Sequence, residues 1–332
     1  ALRQRGPSAD ELADIRSRLK YGFLTGLSTP SGVCENLAQL IAITGDIDVV
    51  EQLYTTLDEV GPDDVRAAVN QFFTRDRSTV ATLHAAGEPL PAQKPATASA
   101  SAASDATPHA APAPKPAAAA AAPKGASPTG APVLMSVPQD PNVAFKLWFK
   151  VGSQDDPPGK EGLAALAGAL LSDGGTQTHA YDEILAALYP LAAGYSVSVD
   201  KEMTVFSGST HRDNVGAYYE LFADAVLRPG FRAEDFTRLR DSAVTGIEKE
   251  LRYSSDEELG KATLNAAAFR GTAYGHLDQG TVTSLNALTV DDVRTFWQQH
   301  YTAQNCVIGL GGAYPADLPT RLQADLAGLP QG

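Results

Sequence analysis

From Val143 to Val151 a large apolar residue stands at every second position. Val143, Phe145, Leu147, Phe149 and Val151 fall on one side; Ala144, Lys146, Trp148 and Lys150 fall on the other. A strand packed through one face has this period of two. Gly162 to Leu171 is apolar nearly all round, which predicts an enclosed helix. A helix over Asp182–Leu188 follows, stopped by Pro190. Tyr195–Val199 and Met203–Ser209 predict an antiparallel pair turning at Asp200-Lys201-Glu202. Helices over Asn214–Leu227 and Ala233–Tyr253 are parted by Arg228-Pro229-Gly230. Ser255-Asp256-Glu257-Glu258 and Thr289-Val290-Asp291-Asp292 are helix-start signals, and the second opens a helix carrying Val293, Phe296 and Trp297. A last strand is expected at Cys306–Leu310. Strands and helices in this order predict an α+β unit over residues 133–332.

Residues 1–85 read as four helices and one strand. Ser8-Ala9-Asp10-Glu11 caps the first helix, whose Leu12, Ile15, Leu19 and Phe23 recur at helical spacing. Pro30 opens the second, through Leu40, and Asp46–Leu57 gives the third. Gly61-Pro62 begins a fourth, expected to bury Val65, Val69, Phe72 and Phe73. Ser78–Leu83 is a short β-branched strand. One strand makes no sheet, so this piece is expected to need strands from before Ala1. Residues 86–132 are almost wholly Ala, Pro, Ser, Thr and Lys. Such a composition cannot offset its ordering entropy, and a disordered linker is expected.

Composition narrows the function classes. The chain has 332 residues, a formal charge of −13 and a pI near 4.9, which argues against a nucleic-acid partner. No apolar run approaches the roughly 20 residues needed to span a bilayer. Its two cysteines, Cys34 and Cys306, are far apart and are expected to be buried thiols. There is no G-x-S-x-G elbow, no Walker lysine and no G-x-G-x-x-G.

The segments FKLWFKVGSQDDPPGKEGLAAL, FADAVLRPGFRAEDFTRLRDSAVTGIEKEL and GHLDQGTVTSLNALTVDDVRTFWQQHYTAQNCVIGLGG resemble, in order and spacing, a half-domain of the insulinase/pitrilysin zinc metallopeptidases. The resemblance covers nearly all of residues 133–325, and residues 1–85 resemble the end of a preceding half. It implies an insulinase-like αβ half-domain whose antiparallel-rich sheet is covered by helices, plus part of a second half. In that family an H-x-x-E-H helix supplies two zinc ligands and a base, and a Glu on a later helix supplies the third ligand. In this frame the motif positions hold Ala165, Gly168 and Ala169, and the third-ligand position falls at Gly246. Glu248, two residues on, is rotated about 200° around an α-helix and away from that face.

The resemblance therefore implies no catalytic residue and no metal ligand in this chain. Zinc is expected instead in a catalytic half that lies upstream or on a partner subunit. The chain is expected to be the middle of a tandem endopeptidase, a catalytically silent wall of a peptide chamber; the alternative is a non-enzymatic scaffold or binding subunit. Tyr274-Gly275-His276 resembles a recurrent family loop, which makes Tyr274 and His276 the candidate substrate-binding residues, against a packed Tyr and an exposed His. His179, with Glu183 and a distant His211 as further ligand candidates, is read as a solvated helix-start histidine rather than as a metal ligand. Asp155, Asp156 and Glu161 are read as a solvated turn. A long Ala/Pro linker suits an exported or periplasmic bacterial protein.

Overall fold

The computed structural model describes residues 2–27, 29–46, 48–74, 77–79 and 131–330. In chain order the helices of the first part are α1 (Leu2–Arg5), α2 (Ala9–Gly26), α3 (Pro30–Thr44), α4 (Val49–Glu59) and α5 (Pro62–Phe72). Ser8 closes both halves of its capping box with Glu11. Two expectations are corrected here. Phe72 and Phe73 are 54% and 70% exposed, because α5 packs mainly on the single turn of α1, too small to cover that face. Cys34 is exposed, since α3 packs on α2 and α4 and leaves its side of the helix open. The strand expected at 78–83 and the linker expected at 86–132 fall almost entirely outside the described residues.

The second part begins with β1 (Val133–Ser136) and β2 (Asn142–Phe149), followed by α6 (Leu163–Asp173) and α7 (Tyr181–Leu188). The hairpin β3 (Gly194–Val199) and β4 (Thr204–His211) follows, then α8 (Val215–Leu227) and α9 (Ala233–Thr245). A π-helical stretch, Gly246–Leu251, continues α9 in place of the α-helix expected to run on to Tyr253. After it come α10 (Asp256–Ala268), α11 (Val282–Ala287), α12 (Val290–His300), β5 (Cys306–Gly312) and α13 (Leu318–Leu326). The three expected strand regions share one sheet, in the order β1-β5-β2-β4-β3; β1 runs parallel to β5 and the remaining pairs are antiparallel. β1, α11 and α13 are elements that the sequence pattern did not announce.

The register places Phe145 between Leu310 and Gly208, and Lys146 between Gly309 and Ser207. Pleating then sends the two residue sets to opposite faces. Val143, Phe145, Leu147 and Phe149 are at most 1% exposed under the helices. Phe145 meets Tyr218 and Phe222 of α8, with ring centroids 5.4 and 5.1 Å away, and Phe206 extends the cluster. The helix α6 is packed against β3, α9 and α12, which explains why eight of its residues are buried. The two parts also touch. Ser17 of α2 donates to the carbonyl of Pro190 at 2.6 Å, Arg18 stacks on Tyr189, and Tyr21 packs on His211 at the end of β4.

Candidate functional site

The enclosed helix α6 has a built N-terminus. Gly162 stands before it with φ +94°, where a Cβ would come within 2.6 Å of the Gln279 carbonyl oxygen. In the turn ahead of it, Asp156 accepts the N–H of Gly162 through Oδ2 and of Ala164 through Oδ1, each at 2.7 Å. These are first-turn donors with no partner inside the helix, so a carboxylate satisfies them and complements the helix dipole. The Asp156 side chain is 0% exposed. This corrects the reading of Asp156 as part of a solvated turn: the chain folds the turn inwards to place it beneath α6.

Ala165 and Ala169, one turn apart on α6, face α9 across a cavity of about 240 Å³. Gly246, at the start of the π-helical stretch, lines the same cavity, with Leu239, Leu285 and Gln279 around it. Three positions separated by up to 81 residues in sequence therefore converge on one space, and none carries a donor atom. Glu248 is exposed and does not line it. Gly168 points elsewhere, to the sheet. A Cβ there would stand 2.7 Å from Val199 Cγ2 and 3.0 Å from Val197 Cγ1 of β3. The residues present do not fit a zinc ion: no ligand surrounds the cavity, and the place of a base is filled by valine. Among the described residues no group of three or more His, Cys, Asp or Glu is placed to hold a metal.

The other candidates are dispersed. His179 Nδ1 pairs with Thr178 Oγ1 at 2.9 Å, while Thr178 also donates to Asp224 at 2.6 Å; this pins the turn before α7 onto α8. Glu183 accepts the Ala180 N–H at the start of α7. His211 is buried beside Asp213 and Tyr21, so the three do not meet. Tyr274 donates to Glu202, and this hydrogen bond raises its pKa above the usual phenol value. His276 is turned inwards, 18% exposed, with Nε2 3.3 Å from Asp156 Oδ2. Lys201 holds the same segment by its Nζ, which bonds the carbonyl of His276 and lies 2.8 Å from Asp278 Oδ1. Ser153 donates to Asp278 at 2.5 Å. The sequence reading missed this carboxylate-centred anchorage, although the acidic run before Gly162 was its only local trace.

The sequence profile described as insulinase (peptidase family M16) matches residues 133–278. Residues 133–278 are those of an insulinase/pitrilysin family member. It is similar to the mitochondrial-processing peptidase subunit beta of Dictyostelium discoideum, with 22% identity over 167 residues, half of this chain and 35% of that protein. It is also similar to an uncharacterized zinc protease of Streptomyces coelicolor, with 25% identity over 183 residues, 54% of this chain and 39% of that protein. The match thus spans well under half the length of these relatives. Among solved structures, an inactive peptidase M16 domain from Pseudomonas fluorescens superposes with a TM-score of 0.55 at 24% identity, covering 60% of this chain and 48% of that one. Pitrilysin superposes at 0.52 and 19% identity, covering 60% of this chain and 22% of its own. These likenesses carry the fold, that of an insulinase-like half-domain.

Proposed function

We propose that this half-domain is the catalytically silent wall of a peptide chamber in a tandem zinc endopeptidase. Zinc, its ligands and the water-activating Glu would belong to another half, and residues 1–85 would complete the half that precedes the linker. Peptide is the expected substrate, and Tyr274 and His276 remain the proposed contacts. The observation that carries this reading is the joint loss at Ala165, Ala169 and Gly246, which still share one cavity. A metal site short of one ligand can recruit water; one stripped of all three protein ligands and its base keeps only the scaffold. A scaffold that retains its core after losing its chemistry fits a role in shape and binding.

The test uses the 332-residue chain alone and then combined with the half encoded beside it that carries H-x-x-E-H. Zinc content is measured by atomic absorption and hydrolysis with a quenched fluorogenic peptide. The chain alone is expected to hold no stoichiometric zinc and to cleave nothing, and the combination to cleave. Zinc bound one-to-one by residues 131–330 would sink the silent-wall reading. If neither arrangement cleaves and no H-x-x-E-H half exists, the non-enzymatic scaffold takes its place.

A further inference from the structure

Of the eleven residues of α6, eight are buried; besides the terminal Asp173, only Ala165 and Ala169 are left partly open. Both open onto the cavity of about 240 Å³. Its walls are apolar, with Leu166 from α6, Leu239 and Ala243 from α9, and Leu285 from α11. Gly246 leaves its part of the wall bare, since a Cβ there would meet nothing within 4 Å. No charged side chain lines the space, and its one polar side chain is that of Gln279. Gln279 is exposed, which sets its amide at the mouth rather than on the floor.

We propose that this cavity is a pocket for one large apolar side chain of a peptide, of leucine or phenylalanine size. On the silent-wall reading, which supplies the peptide, the pocket is the feature by which the wall recognises it. Water in such a space finds few of the two to four polar partners that hold it. An aliphatic or aromatic group would release that water and make dispersion contacts with Leu166, Leu239 and Leu285. A cavity of about 150 Å³ with apolar walls accepts a benzene ring. One of about 240 Å³ therefore has room for an isobutyl or benzyl group. A charged side chain is disfavoured, because it would shed its hydration with no counter-charge on the walls.

The vacated places differ in what became of them. That of Gly168 is taken by Val197 and Val199, whereas Ala165, Ala169 and Gly246 still border open space. An empty apolar space forfeits contacts along its lining, and an occupant of matching chemistry restores them. The Gln279 amide at the mouth is placed to bond the main chain of the peptide whose side chain enters, the arrangement of an apolar pocket with a single orienting polar group. Gln279 belongs to the same short segment as Tyr274 and His276, so the pocket adjoins the contacts already proposed.

Saturation-transfer NMR titrations of the full chain with blocked amino-acid amides test the pocket. N-acetyl-L-leucinamide and N-acetyl-L-phenylalaninamide are expected to saturate with a Kd on the order of 1 mM. N-acetylglycinamide and the α-amide of N-acetyl-L-aspartic acid are expected to bind at least roughly tenfold more weakly. Ala169→Leu, which fills the cavity from α6, is expected to weaken the leucine probe by about tenfold or more while the urea midpoint holds or rises. Gly246→Leu fills it from the π-helical stretch and gives the same reading if the first variant folds poorly. No saturable binding of the apolar probes, equal binding of the aspartate probe, or undiminished binding in a folded filled variant would each overturn the pocket. Neither zinc nor hydrolysis enters the measurement. A pocket that fails leaves the silent wall to its own test, and hydrolysis that fails leaves the pocket on a non-enzymatic scaffold.

Discussion

Gly168 shows how one residue can close off a chemistry. On a helix a glycine costs about 1 kcal/mol relative to alanine, so its presence in the middle of α6 needs a packing reason. Val197 and Val199 supply it, since both press onto the Cα where a side chain would begin. Gly168→Ala is expected to destabilise the chain despite the better helix former, because overpacking costs about 1–3 kcal/mol. The net loss, on the order of 1 kcal/mol, would lower the urea midpoint; a raised midpoint would disprove the contact. Gly246 differs, as a Cβ there meets nothing within 4 Å. At this scale the amino-acid types told which atoms were missing. Whether the vacated places stayed open or were filled was legible only from neighbours distant in sequence.

Among the elements, the central strand β2 carries the clearest division of labour. Phe145 is fully buried against aromatic rings of α8, while Lys146 next to it is exposed on the other face. Phe145→Ala is expected to cost about 3–5 kcal/mol, and Lys146→Ala no more than about 0.5 kcal/mol, by urea unfolding monitored through tryptophan fluorescence. Equal effects would contradict the one-sided packing. The period of two made this strand legible, and capping signals likewise foretold α2, α10 and α12. β1 escaped notice because its Val133, Leu134, Met135 and Ser136 have no alternation and little burial; pairing with β5 makes it a strand. The break at Gly246 escaped for a related reason. Apolar periodicity continues through it, and only the backbone hydrogen bonds reveal the wider turn.

In the whole molecule, α6 and the π-helical continuation of α9 bring Ala165, Ala169 and Gly246 to one cavity. Ala165→His, Ala169→His and Gly246→Glu introduced together are expected to create a site for one zinc ion per chain, measured by atomic absorption and by the visible spectrum of the cobalt form. Peptide hydrolysis is expected to stay absent, because position 168 still holds glycine under Val197 and Val199 and supplies no base. Failure of the triple variant to bind zinc would show that the three positions no longer share ligand geometry. Hydrolysis by it would show that the base is dispensable.

By itself the amino-acid order determined that residues 133–332 build an α+β unit and that α6 is enclosed; the family resemblance added that alanine and glycine stand in the places of a zinc-binding motif. Those properties are local: period, capping and residue type act within a few positions of the chain. Only the tertiary structure decided that Asp156 is turned under α6 to meet His276, 120 residues away, that Gly246 lines the same cavity as Ala165, and that Phe72 and Phe73 stay uncovered. Burial and electrostatic environment belong to whatever packs against a residue. For these residues the packing partners, present or missing, lie far along the chain and leave no periodic trace beside them.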